Sequence, residues 1–210
     1  MVDGIYPIYS RKNFKQAYLM AYPFAMAGNA KGESMLGSLY FFGLGTEKNY
    51  EKALRWNGLA ASQGDPSAEW LMGRSYEMGL GTFRDYRLAM EWYQKSADQG
   101  FTRACHRLGR MYLDGQGVPK DYAQALKWFT IAGKQNWAWS QTALGTMYAR
   151  GLGVKKDYVQ AYRWYALAAR GRHPEAEGAP ESEKVYSDNL ERIKKLMTPQ
   201  QVQEAENLQP

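Results

Sequence analysis

At 210 residues and 45% hydrophobic, the chain is long enough to bury a continuous core as one elongated domain, and its formal net charge of +6 gives a mildly basic surface. Nothing in it approaches the ~18 consecutive apolar residues of a membrane-spanning helix, and a single cysteine, Cys105, excludes an internal disulfide. The opening Met1-Val2-Asp3-Gly4-Ile5-Tyr6 has no basic region followed by an apolar run, so the chain is expected to carry no secretory leader of its own.

From Lys31 onward a frame of residues recurs at intervals of 36, without insertion or deletion. Tyr40, Tyr76, Tyr112 and Tyr148 share it, as do Gly37, Gly73, Gly109 and Gly145. So do Gly43, Gly79, Gly115 and Gly151, Tyr50, Tyr86, Tyr122 and Tyr158, and Trp56, Trp92, Trp128 and Trp164. A fixed period of this length means stacked supersecondary units, each burying its apolar face only against its neighbours.

Within Asp65 to Gly100 the pattern predicts two helices. Asp65 caps the first, Pro66 occupies its first turn, Ala68, Met72 and Tyr76 line one face, and Gly79 ends it. Asp85 caps the second, whose buried stripe is Ala89, Trp92, Ser96 and Ala97, and Gly100 closes the unit. Gly73 and Ala89 are expected to let the paired helices approach closely while Tyr76 and Trp92 fill the space between units. The fold class is therefore all-α, an α/α solenoid (superhelix) of 36-residue helix-turn-helix repeats.

From Arg172 to Glu183 the sequence loses its period and reads as a surface connection. Tyr186, Leu190, Ile193 and Met197 then recur at helical spacing, and Thr198-Pro199-Gln200-Gln201 forms a helix-start signature. Two C-terminal capping helices are expected over 184–210, covering the end of the array.

The run Leu108-Gly109-Arg110-Met111-Tyr112-Leu113-Asp114-Gly115-Gln116-Gly117-Val118-Pro119-Lys120-Asp121-Tyr122-Ala123-Gln124-Ala125-Leu126-Lys127-Trp128-Phe129 resembles the signature of Sel-like repeats, the Sel-one family related to tetratricopeptide repeats. The resemblance covers four copies over 31–171 and implies a degenerate half repeat in 1–30, with Phe14 at the tyrosine position, all in one continuous domain. Met20 departs from the pattern at the tryptophan position, and Asn136 stands where other units have glycine. The closing Leu196 to Glu206 is similar to the end of many bacterial Sel-like proteins, which implies a bacterial source. Export is common among proteins of this repeat type, so the periplasm is favoured, with the cytoplasm as the alternative.

Residues 1–170 hold 22 Lys and Arg against 13 Asp and Glu, while 171–210 hold 5 against 8. The basic body suits a partner protein with an acidic or mixed-charge segment. By resemblance to tetratricopeptide arrays, the first helices line a concave face whose exposed positions make the contacts. Those positions give a basic track of Lys31, Arg74, Arg103, Arg110 and Arg150, accompanied by His106. Phe41, Phe42, Trp70 and Trp139 place aromatic surface beside it. Two readings stay open for the aromatics: Trp70 serves either core or groove, and Phe41 and Phe42 also suit the join to the first half repeat.

Catalysis is not expected. The two histidines, His106 and His173, and Cys105 fall in no metal-spaced motif, and adjacent Cys105 and His106 point about 100° apart on a helix. The Gly-x-Gly segments recur in every unit after a helix, without a Lys-Ser or Lys-Thr ending, and so are turns rather than phosphate loops; no cofactor or metal is implied. A single-stranded nucleic-acid binder is disfavoured, because Glu77 and Asp114 interrupt the basic track. The expected function is a non-catalytic protein-binding scaffold. The resemblance adds two versions: an immunity protein neutralising a secreted toxin, such as a type VI phospholipase effector, or an adaptor for an envelope or signalling assembly.

Overall fold

Short polar residues start many of the helices. Asn29 accepts a hydrogen bond from the Gly32 amide, Asn49 from Lys52, and Asp65 from Ala68. Asp85 accepts from Arg87 and Leu88, and Asp121 from Ala123 and Gln124. Each side chain satisfies amides that have no partner inside the helix. Left-handed Gly43, Gly79 and Gly151 close the first helix of their repeats. Asn136 adopts φ 61° where Gly64 and Gly100 have 81° and 78°, a conformation asparagine tolerates better than other side chains.

The computed structural model describes residues 13–170 and 180–207, with side chains described in the second stretch from residue 184. Among these residues there are eleven helices and no strand. They are α1 (Phe14–Met26), α2 (Ala30–Phe42), α3 (Tyr50–Ser62), α4 (Pro66–Met78), α5 (Tyr86–Asp98), α6 (Thr102–Asp114), α7 (Tyr122–Lys134), α8 (Ala138–Arg150), α9 (Tyr158–Arg170), α10 (Pro180–Lys194) and α11 (Pro199–Asn207). The architecture is an all-α solenoid of helix pairs. Two compact units divide the chain, Met1–Ala104 and Cys105–Pro210.

In the first unit α1 packs on α2, α2 on α3, α3 on α4 and α4 on α5. Ala17, Ala21 and Ala25 of α1 meet Met35, Leu36 and Leu39 of α2. The opposite side of α1 leaves Leu19, Met20, Tyr22, Phe24 and Met26 exposed. In the second unit α7 packs on α8 and α8 on α9, while α10 and α11 both lie against α9. Ile193 joins Ala161 and Tyr165 in one core cluster, and Tyr186 joins Ala138 and Ala168 in another. The start of α11 is doubly capped: Thr198 Oγ1 accepts from the Gln201 amide at 3.2 Å, and Gln201 Oε1 from the Thr198 amide at 2.9 Å.

Two expectations need correction. The stretch 172–183 is not wholly a connection, because α10 already begins at Pro180; residues 171–179 and the N-terminal 1–12 lie outside the described residues. The deepest repeating side chain is also not the tryptophan. Trp56, Trp92 and Trp164 are only part-buried and Trp128 keeps 5% exposure, whereas Tyr93 and Phe129, each the next residue after a tryptophan, are completely buried. A Cβ added at Gly73 would lie 2.5 Å from the Tyr93 ring, one at Gly109 2.6 Å from Phe129, and one at Gly145 2.6 Å from Tyr165. These glycines therefore make room for a ring. Removing such a ring from water contributes about 1.5–3 kcal/mol.

Candidate partner-binding site

The first repeat breaks that pattern, and the break shapes the surface beside it. At the position of Tyr93 it has Asn57, which is fully buried against Gly37 with neither amide atom hydrogen-bonded. At the position of Glu77, whose carboxylate accepts from the Tyr93 hydroxyl at 2.6 Å, it has Phe41. Phe41 is 4% exposed, meeting Phe42 and Tyr50 edge-on at 5.0 and 5.5 Å.

Over that ring sits the guanidinium of Arg74, 5.2 Å from the Phe41 centroid, 5.9 Å from Phe42 and 5.2 Å from Trp70. Arg103 takes Trp70 as well, at 5.1 Å, while Phe101 flanks the indole at 5.9 Å. Arg74 Nη2 also lies 3.8 Å from the Met78 sulfur. Each cation over a ring contributes roughly 0.5–2 kcal/mol depending on its desolvation. Five of the expected contact residues thus converge: Phe41, Phe42, Trp70, Arg74 and Arg103. Phe41 and Trp70 are buried and hold the arginines from beneath, so their place is in the packing rather than in the groove. The outer apolar surface belongs to Phe42 and Met78, 39% and 53% exposed.

In the second unit the expected residues divide. His106 turns inward: its Nδ1 lies 2.9 Å from Ser140 Oγ, and its ring is 5.6 Å from Phe129 and 6.3 Å from Trp137. Burial, with Arg107 and Arg110 adding repulsion, lowers its pKa to about 3, so it is a neutral packing residue at physiological pH. Arg110 faces outward and pairs with Asp114 one turn on, at 3.0 Å. Trp139 and Arg150 are exposed on α8, as Lys31 is on α2.

A second recurring device escaped the sequence reading. Glu33 is buried and accepts from Gln63 at 2.7 Å; one repeat later Glu69 accepts from Gln99 at 2.8 Å. Burial raises both carboxyl pKa values, against the opposing pull of their glutamine partners. The signal was present as two pairs sharing the repeat interval. It passed unnoticed because exposed Glu and Gln are common.

Chemically, the cluster in the first unit offers fixed cations beside apolar surface, a combination suited to carboxylates next to aromatic or aliphatic groups. Among the described residues no group of three His, Cys, Asp or Glu is placed to hold a metal ion. No described helix is long and apolar enough to cross a membrane.

The Sel1 repeat profile matches residues 30–65, 66–101, 102–137 and 140–173, more than half of the chain. No curated protein matches it. Among solved structures, a Sel1 repeat protein from Oxalobacter formigenes is similar at 28% identity and a TM-score of 0.73, over 91% of this chain and 82% of that one. A protective antigen of uropathogenic Escherichia coli with an SLR fold is 29% identical with a TM-score of 0.72; the match covers 86% of this chain but only 42% of the antigen. An immunity protein of Pseudomonas aeruginosa, at 18% identity and a TM-score of 0.54 over 91% of this chain and 80% of that one, shares the fold.

Proposed function

Because the chain belongs to the Sel1 repeat family, we propose that it is a non-catalytic scaffold that binds another protein through the arginine and aromatic cluster of its first unit. The observation that carries this reading is the position of Arg74, held over Phe41, Phe42 and Trp70 with Arg103 over the same indole. A cation fixed in this way loses little side-chain freedom on binding, which favours affinity. Exposed Phe42 and Met78 extend the contact area, so the partner segment carries acidic residues next to apolar ones.

Within this class we favour inhibition of a bacterial toxin over an adaptor role. The immunity protein of Pseudomonas aeruginosa supports that reading through its fold alone. An inhibitor of an envelope-directed toxin acts in the periplasm, and that is the compartment we propose.

The test is affinity capture from the native bacterium with the wild-type protein and an Arg103→Glu/Met78→Ser variant, followed by mass spectrometry. One stoichiometric protein lost in the variant, while the melting temperature falls by only a few degrees for the lost contact of Arg103 with Trp70, is the expected outcome. That protein should poison cells on its own and be silenced by co-expression. An unchanged set of partners would remove the cluster from the interface, and a harmless partner would leave the scaffold reading but end the toxin reading.

A further inference from the structure

In three repeats the Gly-x-Gly turn is seated on the start of the preceding second helix. Gly45, at φ 67°, lies against the backbone of Phe14, the first residue of α1. Gly81 lies on Tyr50 at the start of α3, where an added Cβ would be 2.5 Å from the carbonyl oxygen. Gly153 lies on Tyr122 at the start of α7, where it would be 2.9 Å from that oxygen. At these seats a side chain would strike main chain, which cannot yield as a flexible side chain does, and the left-handed φ disfavours any residue but glycine.

The start of α9, at Tyr158, is the next seat in the series, and the chain does not fill it in this way. Seven residues, 151–157, join α8 to α9, whereas only four, 195–198, join α10 to α11. The shorter connection has no glycine. The helix α11 instead lies beside the seat, and a recess of about 640 Å³ remains, lined by Tyr148, Lys155, Lys156, Tyr158, Gln201 and Glu204 among others. Lys155 and Lys156 are exposed at its rim.

We propose that this recess docks a glycine-containing turn of another protein, a Gly-x-Gly segment with an acidic residue beside it, seated at Tyr158 as Gly153 is seated at Tyr122. A left-handed glycine is what the equivalent filled seats on Phe14, Tyr50 and Tyr122 accept, and an acidic residue suits the two exposed rim lysines when set against them rather than against Asp157 and Glu204, which also line the recess. Three of this chain's own Gly-x-Gly turns, those ending at Gly45, Gly81 and Gly153, are already seated on its own helices, and Asp114 beside the fourth, Gly115-Gln116-Gly117, is paired with Arg110, which disfavours a second copy as the occupant. The site uses no residue of the arginine and aromatic cluster, so the two proposals fail separately.

The probe is a library of random disulfide-closed loops displayed on phage, selected on the full-length protein and counter-selected on Glu204→Trp, which fills the recess from α11. Selected loops should converge on Gly-x-Gly with a neighbouring Asp or Glu. Replacing the second glycine by alanine should weaken binding at least about tenfold, a factor equivalent to ~1.4 kcal/mol, and Lys155→Glu/Lys156→Glu should weaken it similarly. Replacing Lys195–Thr198 by the chain's own Gly151–Asp157 segment should also abolish it, since the chain then fills its own seat. Loops that accept alanine or survive the graft, or a selection that leaves no loop after counter-selection on Glu204→Trp, would overturn the proposal.

Discussion

Arg74 and Arg110 occupy the same repeat position, 36 residues apart, yet their neighbours give them different work. In the first unit the residue one turn after the arginine is Met78, and the guanidinium lies over three aromatic rings. In the second unit that residue is Asp114, and the guanidinium pairs with it near solvent. The preceding turn differs too: the Trp70 ring lies 5.2 Å from its arginine, while His106 is drawn inward to Ser140. A repeat fixes where a side chain emerges. The residues three or four positions away decide whether its charge stacks on a ring or meets a carboxylate.

The strongest way to test this contrast between the units is at the ring seated on the repeat glycine. Phe129→Ala should cost about 3–5 kcal/mol, because it empties a fully buried site pressed against Gly109. Asn57→Ala should cost less than about 1 kcal/mol, since the change also removes two buried polar atoms with no hydrogen-bond partner. Chemical denaturation of both variants checks this, and equal losses would mean that Asn57 contributes as much at its glycine seat as the ring does in the later repeat.

Acid should separate the units next. His106 has a folded pKa of about 3 against an ordinary 6.5, so the unfolded chain takes up its proton first. The second unit then loses up to ~1.4 kcal/mol for each pH unit below 6.5, levelling off near the folded value. In the first unit Glu33 and Glu69 have raised pKa values, so protonation relieves a buried charge; their contribution is full below 4.5 and is lost as pH rises through the folded values. Hydrogen exchange followed from pH 7 to 4.5 should show protection falling around α6 to α8 before it falls in α2 to α4. His106→Gln, which keeps a polar partner for Ser140, should flatten the fall, and an unaltered profile would refute the inward-facing neutral histidine.

The helix pairs were legible in the sequence because caps, left-handed glycines and small residues must recur wherever the backbone recurs. Asp65, Asp85 and Gly79 were assigned correctly for that reason. What could not be read was depth. Trp92 and Tyr93 are neighbours with similar rings, and only the place of Gly73 across the helix pair decides that Tyr93 goes inside. The same holds for Phe41 and Phe42. Phe41, at the repeat position of Glu77, is buried while Phe42 beside it stays exposed, and two adjacent phenylalanines carry no sequence signal of which goes inside.

The smallest expected effect bears most directly on the arginines. Arg74→Ala should cost about 1–2 kcal/mol, because the guanidinium lies over three rings, two of them buried. Arg110→Ala should cost no more than about 0.5 kcal/mol, since its pair with Asp114 is exposed and spans a single helical turn. Salt distinguishes the mechanisms further. Screening weakens the Arg110 pair, so its small contribution should vanish in about 1 M sodium chloride, where the Debye length is only ~3 Å. The part of the Arg74 loss that comes from its ring contacts should persist, because two of those rings are buried. If both losses disappeared in salt, Arg74 would be a surface charge like its counterpart, and the first unit would have no special claim as the binding face.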